Sequence, residues 1–103
     1  KPELRIDILK DITSKVDVPL VLHGGSSNKD EEIAAAVDNG ICKINISSDI
    51  KVAFYTQCRK TLNENPGYRE PLEIYPEAME ACGKVVEEKI RLFKSNDKVK
   101  YYY

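Results

Sequence analysis

The segment that most constrains this chain is an apolar run over residues 18–22 that leads directly into the only histidine, His23. Because the run contains no polar side chain, it predicts a strand buried on both faces, as in a parallel sheet covered by helices. Such strands place their chemistry at their carboxyl ends, where the loop to the next helix begins. Gly24 and Gly25 follow His23 and would let a ligand approach the backbone closely. The sequence therefore predicts a strand over residues 20–23 that ends in a ligand-binding loop.

A second strand is predicted over residues 41–46, where the sequence alternates in a regular way. One face would carry Cys42, Ile44 and Ile46, and the other Lys43 and Asn45. This strand also ends in small polar residues, which begin the next predicted helix. Because the carboxyl ends of parallel strands meet at one edge of a sheet, we expect one ligand site there, formed by His23, Gly24, Gly25, Ser26, Asn45, Ser47 and Ser48.

Apolar residues at helical spacing predict four helices around these strands. We expect them over residues 7–15 with Asp7 as N-cap, 31–38 capped by Asn28 or Asp30, 49–63 capped by Ser47 or Ser48, and from Pro76 or Glu77 to about Phe93, after an irregular segment 68–76. The apolar stripe on the last helix could pack on its own domain, which the pattern favours, or on a partner: Met79, Cys82, Val85, Val86, Ile90 and Phe93.

Two parallel strands cannot by themselves complete a sheet with both faces covered, so we expect neighbouring strands from elsewhere. The fold class is therefore α/β, and residues 1–103 are expected to be the C-terminal piece of one larger domain rather than a complete independent domain.

Composition excludes several classes of protein. The net charge is −1, so the chain lacks the excess of basic residues that is typical of nucleic-acid-binding proteins. The longest apolar stretch is far too short to span a membrane. Cys42, Cys58 and Cys82 are odd in number and widely spaced, which favours three free thiols in a reducing, cytoplasmic compartment.

The glycine-serine loops suggest phosphate binding. Gly24-Gly25-Ser26 and the start of the helix at Ser47-Ser48 each offer free backbone N–H groups and a hydroxyl. Either loop alone is explained as well by a tight turn or a helix cap. The two together favour a phosphate site, because adjacent loops at the end of a barrel form such sites.

The roles of three other side chains stay open on chemistry alone. His23 either makes a structural hydrogen bond or ligates a metal, whose other ligands would then lie outside these residues, since the chain holds no second histidine. The amide of Asn45 could hold a hydroxyl or an enolate oxygen of a substrate. Lys43 is expected in a buried ion pair, and Asp49 is expected to stabilise a helix N-terminus.

The residues Pro19-Leu20-Val21-Leu22-His23-Gly24-Gly25-Ser26, followed by Lys43-Ile44-Asn45-Ile46, resemble the C-terminal part of class II, zinc-dependent ketose-bisphosphate aldolases, which include fructose- and tagatose-bisphosphate aldolases. Leu4-Arg5-Ile6-Asp7 and Lys89-Ile90-Arg91-Leu92-Phe93 are similar to the flanking segments of that family, so the resemblance covers nearly the whole chain. An H-G-G-S loop with K-I-N at this separation is a specific signature.

The resemblance implies a TIM (β/α)8 barrel, of which this chain supplies the last two strands and the C-terminal helices. It implies that His23 ligates zinc, which acts as a Lewis acid in releasing dihydroxyacetone phosphate from a ketose phosphate. Gly24, Gly25 and Ser26 would form the phosphate loop, near which a monovalent cation (Na⁺ or K⁺) can also sit.

On the same resemblance, Asn45, Ser47 and Ser48 would bind the dihydroxyacetone-phosphate moiety, and Asn45 would be catalytic by helping to hold the enolate. In that family, the remaining zinc ligands and the proton-transferring acid lie in the N-terminal part of the protein, which residues 1–103 do not include. This segment alone is therefore expected to be inactive, and the whole protein is expected to be a cytoplasmic homo-oligomer, a dimer or tetramer.

Three positions depart from the family pattern. Ser27 replaces the last glycine of H-G-G-S-G, and Ser47 stands where the fructose branch often has Asp and the tagatose branch Ala. Near Glu70-Pro71-Leu72 the family often has D-P-R, whose arginine reaches the distal phosphate; Leu72 replaces that arginine, and Arg69 is the nearby substitute. We expect a weakened or moved distal-phosphate contact.

Two other functions remain as alternatives. A sugar-phosphate-binding relative would keep the phosphate loops and lack the chemistry. A purely structural, oligomer-forming segment would use its helices to pack subunits together.

Overall fold

The computed structural model describes residues 3–103, and they form an α/β structure, as the sequence predicts. Two short strands alternate with helices. The elements are α1 Ile6–Lys15, β1 Leu20–Leu22, α2 Asp30–Asp38, β2 Ile41–Ile44, α3 Ser48–Glu64 and α4 Pro71–Leu92, with 3₁₀ turns at Gly25–Ser27 and Val99–Tyr101.

The chain divides into two compact units. The first comprises the residues up to Ile46 together with Ile90–Tyr103, and the second comprises Ser47–Lys89. None of the helices in residues 3–103 is both long and apolar enough to cross a membrane.

The centre of the first unit is the parallel pair β1–β2. Leu20 pairs with Ile41, but the next pair is Val21 with Lys43, so β2 has one residue more than β1 between them. That residue is Cys42, which is exposed. An extra residue of this kind re-aims the side chains that follow it. The predicted alternation along β2 is therefore wrong at Cys42, whereas Ile44 and Ile46 are half-buried as expected.

The helices α1 and α2 enclose the small core of the first unit, where Ile33 and Ala36 of α2 are buried. The turn from α2 into β2 passes close to α1 at Gly40, whose φ is +112°. A Cβ on Gly40 would lie 2.8 Å from the Thr13 hydroxyl oxygen, which itself donates to the carbonyl of Asn39 at 3.1 Å. Only glycine satisfies both the backbone angle and this approach.

The predicted N-caps of the first two helices are wrong. Arg5, rather than Asp7, is the N-cap of α1, and Lys29, rather than Asn28 or Asp30, is the N-cap of α2. Asp7 lies in the first turn and accepts hydrogen bonds from the Arg5 guanidinium, which lower the pKa of the Asp7 carboxyl. Acidic side chains in the first turn stabilise a helix because their negative charge lies near the positive end of the helix dipole, and this needs no capping hydrogen bond.

The C-terminus of α4 belongs to the first unit and ends in a Schellman arrangement. The N–H of Ser95 donates to the carbonyl of Ile90, and that of Lys94 donates to Arg91. Lys94 has φ +58°, the left-handed conformation that this motif requires at its terminal position. Its ammonium pairs with Asp38 at the end of α2, which ties the end of α4 to the first unit.

The second unit is formed by α3 and most of α4. The predicted start of the last helix at Pro76 or Glu77 is wrong, because α4 begins at Pro71 and continues through Pro76. Pro71 suits the first helical position, where its missing N–H has no intrahelical partner in any case. Residues 71–76 are therefore helical rather than irregular.

A polar cluster around the buried Thr61 joins α3 to α4, with Gln57 half-buried and Glu77 exposed. Thr61 is only 2% exposed, and its hydroxyl donates to Glu77 Oε2 at 3.1 Å. Gln57 Nε2 donates to the same oxygen at 3.0 Å and to the Thr61 hydroxyl at 3.3 Å. Beside this cluster Ala78 is fully buried.

The predicted apolar stripe of α4 is buried only in part. Cys82, Val85 and Phe93 are half-buried, whereas Met79 is 66% exposed and Val86 and Ile90 are also exposed. The buried side of α4 lies instead along Ala78 and Cys82, whose thiol donates to the carbonyl of Ile50 in α3 at 3.6 Å.

We predict that Glu77→Ala destabilises the second unit by about 1–3 kcal/mol, because it leaves the buried Thr61 hydroxyl and the Gln57 amide without their shared acceptor. Glu80→Ala is the matched control in the same helix: Glu80 pairs with Lys84 at 4.0 Å, and both side chains are 71% exposed. That control should change the free energy of unfolding by less than about 0.5 kcal/mol. Urea denaturation measures both, and equal losses would contradict the role assigned to Glu77.

Candidate functional site

The candidate site lies at the carboxyl ends of β1 and β2. The last pair in the sheet is Leu22 with Ile44, so the following residues, His23 and Asn45, are opposite each other on the other face. Asn45 Nδ2 lies 3.0 Å from His23 Nδ1. The backbone N–H of Asn45 donates to the carbonyl of Leu22 at 3.0 Å, which extends the pairing past the end of β2. The imidazole is exposed, and the amide is half-buried.

The loop after His23 turns tightly over the end of β2. Gly24 has φ +68°, and the N–H of Ser27 donates to its carbonyl at 3.1 Å. Gly25 is buried, and a Cβ there would lie 2.6 Å from Ile44 Cγ2 and 3.2 Å from Ile46 Cδ1. The loop can therefore lie against β2 only because residue 25 has no side chain.

Ser26 carries an unsatisfied polar atom in this loop. Its hydroxyl oxygen is buried and has no hydrogen-bond partner within residues 3–103. Buried hydroxyls are nearly always paired, so such an atom needs a separate explanation, for example a ligand. The loop thus combines a close backbone approach at Gly25 with a hydroxyl that can still make hydrogen bonds.

Ser47 and Ser48 belong to the second unit, where they begin α3. Ser47 is at the N-cap position, as predicted, but its side chain makes no capping hydrogen bond. Its carbonyl accepts from the N–H of Lys51 at 3.1 Å. Both serine side chains are exposed. Of the predicted site residues, the structure thus assembles His23, Gly24, Gly25, Ser26 and Asn45 in the first unit.

Of the two nearby charged residues, Lys43 does not have its predicted role, whereas Asp49 lies where it is predicted. Lys43 is exposed rather than in a buried ion pair, because the extra residue in β2 changes its direction. Asp49 lies in the first turn of α3, as predicted, and pairs with Lys89 of α4 at 2.8 Å. Sequence reasoning missed Lys89, since no local pattern connects residues so far apart in the chain.

His23 fits as one ligand of a metal ion, because its imidazole is exposed at the end of a strand. Within residues 3–103, no cluster of three or more His, Cys, Asp or Glu side chains could hold a metal ion. A zinc ion at His23 would therefore need ligands from outside the described residues.

A parallel βα arrangement, with a histidine and a glycine-serine loop at the strand ends, defines this chain as an α/β protein with a candidate ligand site at that edge. The chain belongs to the class II fructose-bisphosphate aldolase family, whose model matches residues 1–98. The predicted resemblance is thereby confirmed.

Two curated relatives illustrate the family. A sulfofructosephosphate aldolase from Alkalicoccus urumqiensis is 35% identical over 102 residues, which are 99% of this chain and 36% of the relative. The D-tagatose-1,6-bisphosphate aldolase subunit GatY of Klebsiella oxytoca is 37% identical over 92 residues, 89% of this chain and 32% of the relative. The chain thus spans about a third of the length of these relatives.

A solved structure shows the same local architecture. The YdjI aldolase from Escherichia coli K12 matches with a TM-score of 0.82 and 33% sequence identity, over 92% of this chain and 35% of that chain. The α/β arrangement described above is therefore shared with an aldolase.

We predict that Gly25→Ala destabilises the first unit by about 1–3 kcal/mol, because the added methyl group would overlap Ile44. Gly83→Ala is a control of opposite sign: Gly83 lies inside α4, and a Cβ there has no neighbour within 4 Å. That substitution should stabilise the helix by roughly 0.5–1 kcal/mol. Thermal unfolding of both variants tests the two signs, and an unchanged Gly25→Ala variant would show that the loop does not press against β2.

Proposed function

We propose that this chain is the C-terminal segment of a zinc-dependent class II aldolase. The whole protein would reversibly cleave a ketose phosphate or bisphosphate to dihydroxyacetone phosphate and an aldehyde. The observation that carries the proposal is the edge of β1–β2 at which the Asn45 amide lies 3.0 Å from the His23 imidazole, followed by a loop whose buried Ser26 hydroxyl has no partner within residues 3–103. Membership of the aldolase family supports the reaction class.

The loop Gly24-Gly25-Ser26 is proposed to bind the phosphate of the substrate. On the family resemblance, Ser47 and Ser48 are proposed to bind the dihydroxyacetone-phosphate moiety. The hydroxyl of Ser26 is free to donate to a phosphate oxygen. The absence of a side chain at Gly25 lets the backbone of this loop lie close to β2. A monovalent cation, Na⁺ or K⁺, near Gly24 belongs to the same proposal and rests on the family resemblance.

His23 is proposed as one zinc ligand, and the other ligands would come from the rest of the protein. When bound, the zinc would supply a Lewis acid for the ketone of the substrate. Asn45 is proposed to hold the oxygen on which negative charge develops, by donating its amide hydrogens. This role is compatible with its place beside His23, within hydrogen-bond distance of the imidazole.

The architecture proposed for the whole protein is a TIM (β/α)8 barrel, with this chain supplying the last two strands. Support comes from the two parallel strands, each followed by a helix, and from the short share of the aldolase relatives that the chain covers. The rest of the barrel would cover apolar side chains such as Val21, which is 44% exposed. A homo-oligomer, dimer or tetramer, and a cytoplasmic location are part of the proposal, and the three free cysteines favour a reducing compartment.

The substrate is proposed to be a ketose that carries a second anionic group, with Arg69 as its contact. The names of the two relatives share a phosphorylated ketose and differ in the other group, which is sulfo in one and phosphate in the other. Leu72, where the family often has arginine, is 88% exposed in the first turn of α4 and cannot bind an anion. The Arg69 side chain is exposed just before that helix.

We predict that the whole protein releases dihydroxyacetone phosphate from at least one sugar in a panel of ketose mono- and bisphosphates. A chelator should abolish release, added zinc should restore it, and His23→Ala should reduce it at least a hundredfold because it removes a metal ligand. A folded protein that binds the sugars but releases no product would support the non-catalytic binding relative instead. A folded protein that binds no sugar phosphate would support a purely structural role.

We also predict that Arg69→Ala raises KM about tenfold or more for the preferred two-anion ketose, since a charge-assisted hydrogen bond contributes about 1.5–3 kcal/mol. The same variant should leave KM for ketose monophosphates unchanged. Arg91→Ala, an exposed arginine near the end of α4, is the control. Unchanged KM values for every sugar would exclude Arg69 as the distal contact.

A further inference from the structure

The first turn of α3 contains a carboxylate that would repel an anionic ligand at the same end of the helix. Ser47 and Ser48 begin this helix, and Asp49 is the acidic residue of its first turn. The N–H groups at the start of a helix have no acceptor within the helix, and the helix dipole favours negative charge there. The Ser47 side chain makes no capping hydrogen bond, so it does not occupy these N–H groups. An unpaired Asp49 would therefore oppose a phosphate at this position.

Lys89 of α4 compensates that negative charge. Its ammonium nitrogen lies 2.8 Å from Asp49 Oδ2, and the side chains of Lys89 and Asp49 are only 20% and 32% exposed. The Lys84–Glu80 pair of the same helix is looser, at 4.0 Å, and both of its side chains are 71% exposed. A partly buried ion pair is screened less by solvent and salt than an exposed one. Lys89 thus holds the Asp49 carboxylate against α4 and makes the pair neutral.

No other cation can replace Lys89 in its immediate surroundings. The cleft between α3 and α4 beside the ion pair is lined mainly by small and apolar side chains, such as Ala81 and Val85. Among the described residues that line this cleft, the charged ones are Asp49, Glu88 and Lys89. Loss of the Lys89 charge would therefore leave two carboxylates there without a compensating cation.

We propose that Lys89 is a positioning residue for the substrate, because its ion pair with Asp49 neutralises the first turn of α3. The neutral turn leaves the free N–H groups and the exposed Ser47 and Ser48 hydroxyls available to an anionic ligand. This inference rests on the proposed function, in which the two serines bind the dihydroxyacetone-phosphate moiety. Every substrate that yields dihydroxyacetone phosphate has that moiety, so Lys89 acts on all of them alike, whereas Arg69 acts only on sugars with a second anion.

The affinity of the whole protein for dihydroxyacetone phosphate, measured by titration calorimetry, tests this role without requiring turnover. Lys89→Met keeps the apolar stem and removes the charge, and it should raise the dissociation constant about twofold to fivefold, the effect of one charge near a helix N-terminus. KM should rise by the same factor for ketose mono- and bisphosphates, with little change in kcat, because the lost interaction is one of binding. Lys84→Met is the control, since it removes the same charge from an exposed pair of the same helix.

The sign of a second substitution separates charge compensation from a merely structural link between α3 and α4. Asp49→Asn breaks the same ion pair but removes the negative charge, so it should bind dihydroxyacetone phosphate at least as tightly as the wild type. The double variant Asp49→Asn/Lys89→Met should recover the wild-type affinity, and Lys89→Arg should retain it. If Asp49→Asn weakens binding as much as Lys89→Met does, and the double variant does not recover, the pair is only structural and the proposal is wrong.

Salt dependence gives a further readout that a structural role would not change. The ratio of the dissociation constants of Lys89→Met and wild type should fall toward one between about 0.1 M and 1 M salt, as the Debye length shortens from about 10 Å to 3 Å. A ratio that does not change with salt would overturn the proposal. Wild-type protein that binds dihydroxyacetone phosphate, with a Lys89→Met variant of equal affinity, would refute this inference alone. Folded wild-type protein that does not bind it at all would refute the proposed function as well.

Discussion

The register of the parallel pair β1–β2 is the constraint on which the rest of the first unit depends. Leu20 pairs with Ile41, and Cys42 then adds one residue to β2 before the pairing resumes at Val21 and Lys43. If Cys42 were instead paired with Val21, the regular register would place Ile44 opposite His23. In the observed register, Asn45 takes that position, and an amide rather than an isoleucine meets the imidazole. A one-residue shift reverses which side chains face the site, because side chains alternate along a strand.

The segment that carries Asn45 also shapes the loop on the neighbouring strand. Ile44 and Ile46 lie against Gly25, which no larger residue could replace without displacing them. The glycine loop is therefore held by contact with β2 as well as by its own hydrogen bonds. Rigid support of this kind is what a binding site requires.

Local sequence signals were reliable where a local interaction decides the structure. The apolar run before His23 forms β1, the second predicted helix ends at Asp38 as expected, and residues 41–44 form β2. Local sequence signals gave wrong predictions where more than one nearby residue could begin or cap a helix. The pattern predicts a helix start at Pro76 or Glu77, but the helix begins at Pro71, because a proline at the first position has no donor to lose. The helix tolerates Pro76 inside it. The N-caps of α1 and α2 were missed because acidic side chains in the first turn replace a capping side chain.

The sequence by itself determined the α/β class, the two strands and the residue types at their ends, because hydrophobic pattern, glycine and small polar residues act over a few neighbouring positions. It also determined the family, through a loop and a strand motif at a specific separation. Only the tertiary structure decided that Asn45 faces Nδ1 of His23, that the Ser26 hydroxyl has no partner within residues 3–103, and that Asp49 pairs with Lys89. Each of these depends on the register or approach of segments far apart in the chain. Such distances are set by packing and strand pairing, which no local pattern encodes.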